Sequence, residues 1–324
     1  MTVPLLRRCG LSMSQATSMA NPLSVPVAVA GTLTYMALAG FSETDLGVWF
    51  VGYVDLLAFA LLTVGSLLGI RLAARWIGRI PDRLHAWIYI GLLIVVLLQL
   101  YFVARIAAML VIDPQSTAFQ RSEAWTLLTT KGNVPWRQQW MPYASISDQL
   151  KRAVIASEDD GFVSHDGVDW NAIEKAWERN AKAEALANKA QARAPDRPVR
   201  APKIRGGSTI TQQLAKNLLL SGERTLLRKG QEFVLTLLLE QLLSKQRILE
   251  IYLNSVEWGE GVFGAEAAAQ HYFRKSASRL SATEAARLAV MLPAPKRFEK
   301  TPGSAYLAGR TRTILGRMGS AELP

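Results

Sequence analysis

"GGSTITQQLAKN", residues 206–217, sets the reading of the chain, because it joins a glycine pair to a short amphipathic helix pattern. Beyond the glycines, Thr209, Gln212, Gln213 and Lys216 stand at i, i+3, i+4 and i+7, while Ile210, Leu214 and Leu218 line the opposite side. The apolar side belongs in a core. The other side offers amides, a hydroxyl and a cation, which suits a solvated surface and equally a face turned to a ligand.

Downstream, "GERTLLRKGQE" at 222–232 brings Arg224, Arg228 and Lys229 within six residues, and Arg228 and Glu232 form an i, i+4 pair. Such a pair is either a surface contact worth about 0.3–0.5 kcal/mol or part of a site for a di-anionic phosphate. In the second case Glu232 positions the cations or helps to ligate Mg²⁺. Leu214–Leu227 and Gln231–Val256 read as helices, and "EFVLTLLLEQLL" is apolar on nearly every side, so it is central or touches lipid. In "SATEAARLAVMLPAP" Ser281 reads as an N-cap, Glu284 as its capping-box partner and Pro293 as the stop. Helical patterning runs from near Ile146 to the end with little strand-like alternation, which makes the exported part mainly α.

Upstream, "SEDDGFVSHDGVDW" at 157–170 packs Glu158, Asp159 and Asp160 in front of Gly161 and Phe162. Neighbouring carboxylates and partial burial raise a carboxyl pKa, the condition for a general acid or base near neutral pH; the alternative is a solvated acidic turn. His165, in "HDG", reads as a turn or capping residue. From Asn171 to Arg205 nine basic residues stand against four acidic ones, and the segment breaks at "APDRPVRAPKIRGG". A segment of this kind buries little, so a mobile loop is expected near residues 181–205.

The first third of the chain has a different character. Leu84–Ala104 carries no formal charge for 21 residues, enough to span a bilayer. Residues 21–41 and 46–70 are two further possible spans, weakened by Pro22 and Pro26 in the first and Asp55 in the second. Arg71, Arg75, Arg79 and Arg83 precede the last span, and Arg7 and Arg8 precede everything. By the positive-inside rule this arrangement puts the segment after Ala104 outside the cytoplasm. The organisation expected is a membrane region over residues 1–110, a connector over 111–145 and a globular domain over 146–324.

A net charge of +11 points to an anionic partner, and the outward topology argues against nucleic acid. Cys9, the single cysteine, excludes an intramolecular disulfide, and His85, His165 and His271 lack zinc-ligand spacing.

The order of these segments resembles the monofunctional biosynthetic peptidoglycan glycosyltransferases, or transglycosylases. "SEDDGFVSHDGVDW", "GGSTITQQLAKNL", "RKGQEFVLTLLLE", "KQRILEIYLNSVEWGEGVFGAEAAAQHYF" and "EAARLAVMLPAP" are similar to that family's five motifs, in order, between Ile146 and about Pro302. The resemblance implies a lysozyme-like, mainly α fold preceded by one or more transmembrane helices. It implies an enzyme of the outer face of the bacterial cytoplasmic membrane. The reaction implied is polymerisation of lipid II into glycan strands by inverting transfer, forming β-1,4 bonds and releasing undecaprenyl pyrophosphate.

By the same resemblance, Glu158 matches the general base and Glu232 the second carboxylate, beside a divalent cation, Mg²⁺ or Mn²⁺. Lys216, Arg224, Arg228 and Lys229 match the cations that neutralise the pyrophosphate. Thr209, Gln212 and Asn217 match polar residues of the cleft. Implied partners are lipid II, the growing lipid-linked strand, the cytoplasmic membrane and proteins of wall synthesis or division. Asp160 and Gly161 depart from the family pattern, where longer side chains are usual.

A lysozyme-like hydrolase has no need of the basic third motif, and a non-catalytic membrane scaffold has no need of Glu158 and Glu232. No Ser-x-x-Lys occurs in the chain, so transpeptidase activity is not expected.

Overall fold

The computed structural model describes residues 2–38, 50–51, 54–74, 81–193, 207–220 and 225–324. Two compact units divide the chain, Met1–Gln99 and Leu100–Pro324.

The first unit holds helices α1 (Thr2–Arg8) and α2 (Met13–Leu38), an antiparallel pair β1 (Phe50–Val51) and β2 (Val54–Asp55), helix α3 (Leu56–Ala74), and most of α4 (Asp82–Ala108). Among the described helices, α4 alone has the length and apolar composition to cross a bilayer. It contains the expected span at 84–104, and Leu92, Leu97 and Leu100 on it are exposed, as contact with lipid requires. The possible span at 46–70 is helical only from Leu56. Asp55, which weakened that reading, starts the helix: its Oδ1 accepts from the backbone N–H groups of Leu57 (2.8 Å) and Ala58 (3.1 Å). For the span proposed at 21–41, the helix α2 begins earlier, at Met13, and residues 39–41 lie outside the described ones.

The second unit begins inside α4. Phe102, Ile106 and Met109 are buried in its core, so the expected membrane boundary at residue 110 cuts through the second unit. Arg247 holds the end of that helix, donating from Nε to the Met109 carbonyl (2.8 Å) and pairing with Asp113 (2.8 Å). A cation there satisfies carbonyls that the helix leaves unbonded.

The remaining elements, in order, are α5 (Ala118–Lys131), β3 (Arg137–Gln138), α6 (Asp148–Glu158), α7 (Trp170–Arg193), α8 (Ile210–Leu219), α9 (Leu226–Leu242), α10 (Lys245–Ser255), β4 (Glu257–Gly259), β5 (Val262–Phe263), α11 (Ala265–Phe273), α12 (Ala282–Met291), α13 (Pro295–Glu299) and α14 (Ala305–Arg317). The strands form one small sheet in the order β3-β5-β4.

Three local expectations change. The connector at 111–145 contains α5, started by a Thr117–Gln120 capping box and ended by Gly132 in the left-handed region (φ 71°). The helix expected over Gln231–Val256 is two helices, because Ser244 caps α10 by accepting from the Arg247 N–H (3.2 Å). Residues 181–193, expected in a loop, continue α7. Alanine, lysine, arginine and glutamate are strong helix formers, so a segment too polar for a core still forms an exposed helix. Residues 194–205 of that expected loop lie outside the described ones.

In the core α6 packs on α12 and α14, while α8 packs on α5, α9 and α10. Leu150, Ile155, Phe162, Ile210, Leu214, Leu218, Leu235, Leu239 and Trp258 are almost wholly buried. Each contributes about 1.5–3 kcal/mol by leaving water. The helix α9 is central and exposed at once: Leu235, Thr236 and Leu239 face the core, while Phe233, Val234 and Leu237 face outward.

Candidate active site

Glu158 is the last residue of α6, and α8 starts beside it. The two motifs are tied by Asp159, whose Oδ2 accepts from the Ile210 N–H at the head of α8 (2.9 Å) and whose Oδ1 pairs with His165 Nε2 (2.9 Å). His165 Nδ1 accepts from the Gly167 N–H (3.1 Å), which leaves the proton on Nε2 for Asp159. His165 is thus the turn residue that its "HDG" setting indicates. Gly167 sits at φ +84°, and a Cβ there meets Thr236 Cγ2 at 2.7 Å. Only glycine permits this approach, which lets the Gly167 carbonyl accept from the Thr209 hydroxyl (2.6 Å).

Thr209 is the N-cap of α8 and shares a capping box with Gln212. Both are buried, so much of their polar capacity goes into the fold. Gln213, next along the same polar face, instead reaches the carboxylate. Its Nε2 donates to Glu158 Oε2 (3.0 Å), and the Ser157 hydroxyl reaches Glu158 Oε1 at 3.3 Å. Burial pushes the Glu158 pKa up, with the Gln213 and Ser157 hydrogen bonds and the charge of Arg310 opposing and that of Asp159 adding to it. A carboxyl so placed suits proton abstraction nearer neutral pH.

Two cavities meet at Ser208. One, of about 240 Å³, is lined by Glu158, Asp159, Thr209, Arg179 and Arg317 among others. The second, of about 440 Å³, is lined by Gln212, Gln213, Lys216, Asn217, Arg228, Lys229 and Glu232, with Phe119 and Ser122 from α5. The first has a carboxylate of raised pKa. The second has three cations against one carboxylate, a balance that favours an anion.

Within the second cavity Arg228 pairs with Glu232 Oε2 at 3.0 Å, and Lys229 pairs with Oε1. The Glu232 side chain is only 4% exposed, so this is not the solvated pair that spacing alone allows. The buried Arg228 Nε has no hydrogen-bond partner among the described residues.

The structure brings together Gln212, Lys216, Asn217, Arg228, Lys229 and Glu232 in one cavity and Glu158 and Thr209 in the other. Arg224 lies outside the described residues. Gln213, Ser208, Phe119 and Ser122 extend the expected set. Gln213 belongs to the polar face of the opening stretch, whereas Phe119 and Ser122 come from the segment taken for a connector. Asp160, one of the two departures from the family pattern, is exposed and pairs with Arg317 (3.0 Å).

Comparison with known proteins supplies the family. The transglycosylase family pattern matches residues 126–319, a longer stretch than the five motifs span. The chain belongs to the transglycosylase family. A biosynthetic peptidoglycan transglycosylase of Burkholderia thailandensis is 56% identical over 226 residues, covering 70% of this chain and 82% of the relative. Those of Herminiimonas arsenicoxydans and Paraburkholderia xenovorans are 50% identical over 247 residues and 48% over 255, covering 76% and 78% of this chain and 100% and 99% of theirs. Residues 1–100 match a different family pattern, sulfite exporter TauE/SafE, so the N-terminal unit has a likeness of its own.

Proposed function

We propose that this transglycosylase polymerises lipid II into peptidoglycan strands at the outer face of the bacterial cytoplasmic membrane. The observation that carries the reading is the division of the cleft: a partly buried carboxylate of raised pKa on one side of Ser208 and a cationic cavity on the other. In this reading Glu158 removes the proton from the acceptor sugar's 4-hydroxyl as the oxygen attacks the anomeric carbon of the growing strand. Lys216, Arg228 and Lys229 receive the departing diphosphate, with Glu232 holding the arginine and Lys229 in place. Attack from the face opposite the leaving group inverts an α-linked donor to a β-1,4 bond. A diphosphate stabilised by cations needs no general acid, so one base and one anion site suffice.

The divalent cation implied by the resemblance remains a proposal. Among the described residues no cluster of three or more metal-ligating side chains exists, and both Glu232 oxygens are engaged by cations. Glu232 is the one carboxylate of that cavity and is free to ligate only once the half-exposed Lys229 swings away, so the described residues do not form a metal cage.

Membrane association is supported by α4 and by an exposed apolar surface on the second unit, made by Leu226, Leu227, Phe233, Val234 and Leu237 of α9 with Trp170 and Trp177 of α7. Trp170 and Phe233 lie ring to ring on that surface, and exposed apolar side chains there suit a bilayer and a lipid-tethered substrate. The arginines before α4 support the outward topology. Proteins of wall synthesis or division as partners remain part of this proposal. The test is incubation of the purified protein with labelled lipid II in liposomes. Lysozyme-sensitive polymer is expected, and cleavage of preformed glycan without polymerisation would favour a hydrolase.

A further inference from the structure

Tyr252, in α10, lies one layer behind the base and is 1% exposed. Its hydroxyl donates to Gln213 Oε1 (3.0 Å), and Gln213 Nε2 donates in turn to Glu158 Oε2 (3.0 Å). The direction of both bonds follows from the carboxylate. An ionised Glu158 only accepts, so the amide presents its NH₂ to Glu158 and its oxygen to the tyrosine, which must then donate. When Glu158 is protonated the chain can run in reverse, with the acid donating to the amide oxygen and the amide donating to Tyr252.

We infer that Tyr252 is a positioning residue for the base: its hydroxyl fixes the Gln213 amide as a donor to Glu158 and so favours the ionised carboxylate. The inference rests on Glu158 being the base. Glu158 Oε1, approached at 3.3 Å by the Ser157 hydroxyl, is then left for the acceptor's hydroxyl proton. Hydrogen bonds in a buried chain polarise one another, so the distal tyrosine matters although it touches no substrate.

Other charges surround the base. Asp159 and Asp160 follow it, Arg310 and Arg317 come from α14, and Asp169 and Arg179 line the same cavity. On α12, Glu284 is engaged by Lys275 and Arg287 by the Pro302 carbonyl. Tyr252→Phe leaves all of these charges in place, so a changed pH response reports the relay.

The experiment is the pH profile of kcat/KM for lipid II polymerisation in liposomes, using the full chain, Tyr252→Phe, Gln213→Ala and the double variant. Circular dichroism confirms folding. Tyr252→Phe is expected to move the acid limb up by about half to one pH unit, the size of effect of one modest hydrogen bond. Donor KM should stay unchanged. Gln213→Ala should move the limb in the same direction, and adding Tyr252→Phe should move it no further. An unmoved limb in folded Tyr252→Phe, or full additivity in the double variant, overturns the relay. If Tyr252→Phe does not fold, an unmoved limb in Gln213→Ala, which alters a partly exposed side chain, does the same. Glu158→Gln separates the two levels: polymerisation by that variant removes the base itself, whereas its inactivity beside an unmoved Tyr252→Phe limb removes only the relay.

Discussion

Glu158 and Arg228 carry the chemistry at the scale of single residues, and each has its own signature. Glu158→Gln keeps shape and hydrogen bonding but accepts no proton, so polymerisation should fall to background while the circular dichroism spectrum is unchanged. The wild-type pH profile carries a related expectation. The base works ionised, and burial raises its pKa, so kcat/KM should fall on acidification at a pH above the ordinary glutamate value of about 4.3. An acid limb at or below that value contradicts the burial argument. Arg228→Ala removes a cation whose Nε is buried and has no hydrogen-bond partner among the described residues, leaving developing phosphate charge uncompensated. By analogy with loss of one oxyanion donor this costs about 2.7–4 kcal/mol, or roughly 10²–10³ in kcat. Normal turnover by folded Arg228→Ala would return the arginine to the role of a structural ion pair. If a divalent cation takes part, the substrate's own diphosphate has to supply most of its ligands, because the described residues form no cage; chelator should then abolish activity and Mg²⁺ or Mn²⁺ restore it, and full activity in excess chelator shows that the protein's cations suffice.

The elements show how much was legible beforehand. The capping box of α12 and the mainly helical character follow from periodicity and from Ser281 and Glu284 at the right offset, whereas Thr209 and Gln212, read as a polar face, are the capping box of α8. The break at Ser244 was hidden because a serine inside a long apolar pattern is outvoted by its neighbours, and only tertiary packing makes it a cap. The role of α5 was missed for another reason. Phe119 and Ser122 reach the cationic cavity through long-range packing on α8, which no local pattern encodes, although the Thr117–Gln120 box that starts the helix was available to be read. The link between Glu158 and Gln213, 55 positions apart in the chain, is likewise a product of folding. One element carries a stability expectation of its own. Burial raises the Glu257 pKa on β4 to about 7, against the opposing charge of Lys296 on α13. Its folded pKa exceeds its unfolded value, so the stability it confers is fully present below about pH 4.3 and is lost as pH rises through about 7. The stability difference between Glu257→Gln and wild type, measured by urea denaturation, should therefore shift toward the variant between pH 5 and pH 8. A difference independent of pH means that Glu257 does not titrate in that range.

For the whole molecule, the boundary near residue 100 matters more than the count of spans. Removing residues 1–99 keeps Phe102, Ile106 and Met109 in their core, whereas removing 1–110 strips all three. The longer deletion should lose several kcal/mol, about 2–5 for each large apolar side chain removed. The shorter one should fold and polymerise more slowly on bilayer-embedded lipid II, through lost local concentration. Equal thermal stability of the two truncations contradicts the placement of the α4 end in the catalytic core. The central claim is the division of one cleft into a base side and an anion side. Its most direct measurement is the affinity of folded Glu158→Gln and Arg228→Ala for a lipid-linked diphosphate donor in liposomes. Glu158→Gln should bind the donor as wild type does while failing to polymerise it, and Arg228→Ala should bind about 10–100-fold more weakly. Loss of donor binding in Glu158→Gln with full binding in Arg228→Ala would contradict the division outright.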